Sequence, residues 1–157
     1  MRKSQIARIP QTAPVRDHAW MNLEHIASVE VSSEDADYPI ESPLILEEKK
    51  GWRAAHPGTQ TIRLIFDEPQ KLRRILLVFE DTENSRTQEF VLRWSPDIES
   101  SFREIVRQQW NFNPPDSVLE TEDYSVELSG VKVLELMIIP DKNGGNVRAS
   151  LASFRLA

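Results

Sequence analysis

The chain has 157 residues, enough for one compact domain and too few for a second with a sizeable core of its own. Its 39% apolar and 28% charged residues match an ordinary folded chain, and nothing approaches the ~18 consecutive apolar residues of a membrane-spanning helix. A net charge of −6, from 25 acidic against 19 basic side chains, argues against a general binder of nucleic-acid phosphates, and the absence of cysteine excludes disulfides, thiolate metal sites and thiol nucleophiles.

The opening MRKSQIARIPQTAPVRDH is basic, but no apolar signal core and no small-residue cleavage site follows it. A cytoplasmic protein without membrane insertion is therefore expected. Pro10 and Pro14 predict an extended arm over residues 1–19, ahead of a single domain over 20–157 that begins at Trp20. An amphipathic presequence is the alternative, since Arg2, Lys3, Arg8 and Arg16 precede the first acid, Asp17. The two prolines would interrupt such a helix.

From Ile26 onward, runs of Val, Ile, Leu and Phe alternate with stretches holding Pro, Gly, Asn and Asp, the signature of strands and turns. Strands are expected over 26–32, 59–66, 72–80, 87–95, 102–110, 123–128, 132–140 and 149–156. About eight strands suit an all-β sandwich or jelly roll. Ile62, Leu64 and Phe66 fall on one face of a strand, as do Phe90, Leu92 and Trp94, and both triplets are core candidates. Segments 72–79 and 131–139 are apolar on both faces, which marks central strands covered twice, by the arm or by a partner. The spacing of Phe102, Ile105 and Val106 predicts a bulge, and a turn of helix is expected within Asp37 to Lys50.

If successive strands run antiparallel, connections alternate between two ends of the sandwich. One end then carries the short links DEPQK (67–71), PDIES (96–100) and SG (129–130). The other carries the long segments 33–58, 81–86, 111–122 and 141–148. Long loops gathered at one end of a rigid scaffold favour a binding role.

Several pieces together resemble a known family: ASVEVSSEDAD followed by Tyr38 and Pro39, Trp52 before a loop ending GTQTIRLIF, PQKLRRILLVFED, QEFVLRWSPD with SFREIV, and a terminal ASLASFRL. Over Trp20 to Ala157 the chain resembles the galactose-binding-like or discoidin-like β-sandwich, which includes coagulation factor C domains and many bacterial carbohydrate-binding modules. The resemblance implies an eight-stranded antiparallel jelly roll that holds ligands in loops at one end. Members bind sugars, phospholipid head groups or other proteins. Where many relatives carry an Asp-Gly-Asp type loop at the start of a calcium site, this chain reads LEEKKGW (46–52), and Ser153 stands where calcium-binding relatives often have Glu. The disulfide that ties the termini of secreted relatives is also missing. No cofactor is expected, and a structural calcium ion is not favoured. A second branch, similar to the N-terminal domain of an animal DNA single-strand-break repair scaffold, uses the fold inside cells to dock proteins.

Trp52, Arg53 and His56 lie together in the longest loop, combining an aromatic face with hydrogen-bond donors, as a sugar ring requires. Trp52 has a second reading as a plug in the core, the commoner fate of a large aromatic. Asn84, Arg86, Asn111, Asn113 and Arg148 fall in loops expected at the same end, although turns favour Asn for backbone reasons alone. Trp94 is expected in the core, Trp110 as an exposed platform at the loop end, and Trp20 over a sheet face. Glu34, Asp35 and Asp37, and the run DKNGGN (141–146), contain oxygen ligands for a hard cation, but neither matches a full calcium loop. The basic spots Lys71, Arg73, Arg74, Arg103 and Arg107 read as a solvated face with cross-strand ion pairs, or as a contact for a protein or acidic polymer.

His18, His25 and His56 are scattered, and no nucleophile elbow, phosphate loop, HExxH or dinucleotide fingerprint occurs. The expected function is a non-catalytic module that binds carbohydrate through Trp52, Arg53, His56, Asn84, Arg86, Trp110, Asn111 and Arg148. The alternative is an intracellular protein-interaction domain, self-associating through its strands that are apolar on both faces.

Overall fold

The computed structural model describes residues 20–45, 50–98 and 102–157. The expected arm over 1–19, and residues 46–49 of the LEEKKGW segment, lie outside them. Eight strands carry the fold in chain order: β1 (Ala27–Val31), β2 (Trp52–Pro57), β3 (Gln60–Glu80), β4 (Arg86–Ser95), β5 (Arg103–Phe112), β6 (Leu119–Ile139), β7 (Arg148–Leu151) and β8 (Ser153–Leu156). Two single-turn helices, α1 (Leu23–Ile26) and α2 (Glu41–Leu44), flank β1, and α2 is the helical turn expected between Asp37 and Lys50.

The architecture follows from how β3 and β6 bend. Residues 60–65 of β3 pair with 133–138 of β6, and residues 72–80 pair with 119–128. The register shifts between Ile65 and Arg74. Asp67, Glu68 and Pro69 are exposed at this bend, and opposite them Gly130 takes a φ of 73°, a left-handed conformation that glycine adopts without a Cβ penalty. Burial switches phase across the bend, from Ile62, Leu64 and Phe66 to Ile75, Leu77 and Phe79, so that both halves turn their apolar side chains inward.

Each bent strand therefore contributes to two layers. One layer has the order β1, β3, β6, β4, β5, and the second joins β8 to residues 72–80 of β3 and 119–128 of β6. All these pairings are antiparallel. The layers meet face to face: the Phe79 and Phe90 rings stack with centroids 5.3 Å apart, and Gln88 of β4 donates to Glu120 across the interior at 2.9 Å. The core between them also holds Leu92, Leu134, Leu136, Ile138, Phe154 and Leu156. This is the all-β antiparallel sandwich that the sequence predicts.

Four details differ from the sequence reading. The expected pairs 59–66 with 72–80, and 123–128 with 132–140, are each one continuous bent strand. The expected strand 149–156 divides at Ala152, whose N–H donates to Val78 O. β2 lies inside the segment read as one long loop and pairs only with β7. The loop read as 111–122 shortens, since β5 runs to Phe112 and β6 begins at Leu119. The expected bulge is present, where the register of β4 on β5 passes from Leu92↔Val106 to Arg93↔Glu104 and leaves Ile105 unpaired.

The outward side of the first layer is polar and tied by charge. Glu135 is buried between Arg63 and Arg93, which both bind its carboxylate, and Phe102 lies against both guanidinium groups. Arg107 meets Glu89 and Glu104, which bears out the ion-paired face read from the basic spots. On the second layer, Arg74 pairs with Asp123 and lies over the Trp20 ring, placing Trp20 on a sheet face as expected. The outward Leu76 and Val78 of that layer are half-buried. Among the described residues, no helix is long and apolar enough to cross a membrane.

Candidate functional site

Because β3 and β6 fold back, both ends of each strand lie at the same end of the sandwich. The segments 32–45, 50–51, 81–85, 113–118 and 140–147 therefore converge there. Asp81 N–H donates to Val118 O at 2.9 Å, Lys142 N–H to Thr87 O at 2.8 Å, and Ser85 Oγ to Asn113 Oδ1 at 3.5 Å. The opposite end carries the two bends and the turn after β4. The chain closes there, with Met21 N–H donating to Leu156 O and both Arg73 and Arg74 N–H to Ala157 O.

A cleft of about 760 Å³ opens among these loops. Ser33 organises one side of it. Its carbonyl accepts Trp52 Nε1–H at 3.0 Å, its hydroxyl accepts Ala55 N–H at 3.0 Å, and the same hydroxyl donates to Gln60 Oε1 at 2.8 Å. The chain then runs along β2, where Asp35 N–H donates to Arg53 O at 2.8 Å and Arg53 N–H to Tyr38 O at 3.2 Å. The Arg53 guanidinium consequently lies 4.5 Å from the Tyr38 ring centroid, and Lys50 Nζ lies 5.1 Å from it. Arg148 reaches the same side through Asp35 Oδ2 at 3.3 Å and Ala54 O at 3.4 Å.

The other side is the 81–85 loop, which is folded around a carboxylate. Asp81 Oδ1 accepts Glu83 N–H at 2.8 Å and Asn84 N–H at 2.9 Å, and Oδ2 accepts Arg86 Nε–H at 2.6 Å. Burial opposes ionisation of Asp81, but these hydrogen bonds and the charge of Arg86 outweigh it and hold the carboxyl below its ordinary pKa. Arg86 also donates to Pro140 O at 2.8 Å and Gln88 Oε1 at 3.0 Å, with its guanidinium over the Phe112 ring. The loop thus presents Glu83 and Asn84 to the cleft from a fixed base.

The residues expected in the site fall into three sets. Trp52, Arg53, Asn84 and Arg148 line the cleft, but Trp52 is only 1% exposed, so it is the core plug of its second reading. Arg86 is not a contact residue, because its side chain is 0% exposed and engaged as the Asp81 partner. His56, Trp110 and Asn111 do not line the cleft. His56 is exposed near the end of β2. Trp110 is half-buried rather than an open platform, since it lies opposite the fully buried Gln88 on the inward side of β5. With Asn111, Gln109 and Ser117 it borders a separate depression of about 360 Å³. Sequence reasoning missed Lys50, Glu83 and the placement of Tyr38. Their proximity depends on pairings remote along the chain.

The acids considered as cation ligands serve the backbone instead. Glu34 Oε1 accepts Ile40 N–H, Asp35 Oδ1 accepts Asp37 N–H, and Asp141 Oδ1 accepts Asn143 N–H. Among the described residues, no group of three or more His, Asp or Glu side chains converges.

Gly51 sits at the floor of the cleft with a φ of 83°, and a Cβ there would stand 2.9 Å from Leu151 O. Neither the conformation nor the backbone contact yields easily, so Gly51→Ala is expected to cost about 1–3 kcal/mol. Urea unfolding would measure the loss, with amide shifts centred on the β2–β7 pair.

No family model matches the chain and no curated protein matches it. Solved structures do. The family 32 carbohydrate-binding module of Clostridium perfringens NanJ, in complex with galactose, superposes with a TM-score of 0.63 at 12% identity, covering 87% of this chain and 96% of that one. The family 32 module of AlyQ, in complex with 4,5-unsaturated mannuronic acid, gives 0.55 at 17% identity over 84% and 95% of the two chains. A Ruminococcus gnavus family 29 fucosidase, in complex with fucose, gives 0.65 at 10% identity over 87% of this chain and 26% of the enzyme. At these identities the likeness is one of fold.

Proposed function

We propose that the chain is a non-catalytic carbohydrate-binding module whose ligand enters the cleft between Tyr38, Arg53 and Arg148 on one side and Glu83 and Asn84 on the other. The observation that carries this reading is the convergence of these side chains, from four separate segments, at the loop end of a galactose-binding-like sandwich. Fixed guanidinium, amide and carboxylate groups are the donors and acceptors that sugar hydroxyls need. The solved neighbours support it, because their bound ligands include both neutral and acidic sugars. Glycosidic cleavage needs two carboxyls flanking the bond, whereas the carboxylates lining this cleft come from the single stretch 80–83, where Asp81 is neutralised by Arg86.

A two-dimensional amide NMR titration with a panel of simple sugars tests the proposal. The expected shifts are confined to residues 35–38, 50–53, 81–84 and 146–150, and Asn84→Ala should weaken binding by about tenfold without lowering thermal stability. A spectrum unchanged through millimolar sugar would overturn the carbohydrate reading and favour a protein-docking role.

A further inference from the structure

Among the described residues, the cleft offers no unoccupied aromatic face of the kind on which a neutral sugar ring commonly stacks. Trp52 is sealed beneath the floor. The Tyr38 ring already carries the Arg53 guanidinium at 4.5 Å and Lys50 Nζ at 5.1 Å, so a sugar stacking there must compete with two cations. Recognition in this cleft then falls to charge and hydrogen bonding.

The two cations differ from the ion-paired arginines of the sandwich. Arg63, Arg74, Arg86, Arg93, Arg107 and Arg148 each meet a carboxylate. Arg53 and Lys50 meet none among the described residues, although the chain has an excess of acids and a net charge of −6. Arg53 is held at its backbone from both sides, by Asp35 N–H and by Tyr38 O, and at its side chain by the Tyr38 ring. A guanidinium so placed keeps its planar fork available for two parallel bonds to an oxyanion. Glu83 and Asn84 face it from the other side of the cleft and suit ring hydroxyls, the carboxylate and the amide oxygen as acceptors, while Asn84 Nδ2 donates to the Asp81 carboxylate.

We infer that the cleft selects a pyranose bearing an anionic group, a carboxylate or a sulfate, which Arg53 and Lys50 hold beside the Tyr38 ring while Glu83 and Asn84 bind its hydroxyls. This deepens the carbohydrate reading above and rests on it.

Calorimetric titration of the full chain with galactose, galacturonate and galactose 6-sulfate, at low and high salt, tests the inference. Galacturonate or the sulfate is expected to bind at least about tenfold tighter than galactose, and the stronger of the two identifies the anion. The advantage should shrink at high salt and disappear in Arg53→Gln, while Arg53→Lys keeps part of it by retaining charge without the fork. Lys50→Gln alone, at an exposed position, should reduce the advantage in part without affecting folding. Equal binding of galactose and both anions would overturn the inference and leave the carbohydrate reading standing. Binding of sodium acetate or sulfate as tightly as the charged sugars would also overturn it, because the sugar ring would then contribute nothing. Binding of none of the three sugars would remove the carbohydrate reading itself.

Discussion

Arg86→Met is expected to lower the free energy of unfolding by about 3–5 kcal/mol, the usual cost of removing one partner from a buried ion pair. The Arg86 side chain is 0% exposed and Asp81 is 10% exposed, so the carboxylate left behind gains little from water. Pro140 O and Gln88 Oε1 lose their donor as well. Methionine fills much of the same volume over Phe112, so the loss is chiefly electrostatic rather than a cavity effect. Lysine would restore the charge but not the fork, and should recover only part of the stability. The folded-state pKa of Asp81 is depressed, so its contribution is present above the unfolded carboxyl value and fades as the pH falls through the lower folded one. The gap between parent and variant should therefore narrow in acid. Urea midpoints at constant m value measure the difference. An unchanged midpoint at neutral pH would show that the 81–85 loop stands without its buried cation. The same variant should also weaken sugar binding, since Asp81 positions Glu83 and Asn84 through their backbone N–H groups.

The contrast between Arg86 and Arg53 shows what the sequence discloses. Both are arginines beside loops, and local composition predicts exposure for each. Asp81 is five residues away, but Phe112 comes from β5 and Pro140 from the segment after β6, and they bury Arg86. Alternation was legible where one face is buried and the other wet, as in Ile62, Leu64 and Phe66, because a slip of one residue would turn all three into water. Loop clustering was legible too, since it follows from chain direction alone. The bends of β3 and β6 were not: DEPQK and SG hold the residues of a hairpin turn, and only the pairing of Gln70 with Val131 shows that the strands continue through them. β2 escaped notice because WRAAHP contains no β-branched residue, and its strand character comes from β7, about a hundred residues later. The cleft's cations were partly legible. Arg53 stands out beside Trp52, whereas Lys50 belongs to the site through Tyr38, which the backbone bonds of Asp35 and Arg53 bring to it.

The interior end of the same polar chain carries the second large effect. Glu120→Gln is expected to make the protein more stable than the parent in mild alkali. Glu120 is 0% exposed, its Oε1 accepts Gln88 Nε2–H at 2.9 Å, and its Oε2 meets no donor among the described residues. Burial, followed by a hydrogen bond and charge repulsion from Glu122, pushes its pKa up to about 9, against the weaker opposing pull of Gln88 and Arg86. At neutral pH the group is thus a carboxylic acid. A folded pKa above the unfolded one means that the stabilisation is complete below the unfolded carboxyl value and drains as the pH rises toward 9. The drain is ~1.4 kcal/mol per pH unit at most, so the parent should lose several kcal/mol between about pH 5 and pH 9 relative to the glutamine variant. Glutamine keeps an acceptor for Gln88 and removes the titration. Stability curves that run parallel for parent and variant would mean that Glu120 ionises without penalty. Curves that diverge with rising pH would show that Glu120 keeps its proton in the folded state at the interior end of the Gln88–Arg86–Asp81 chain.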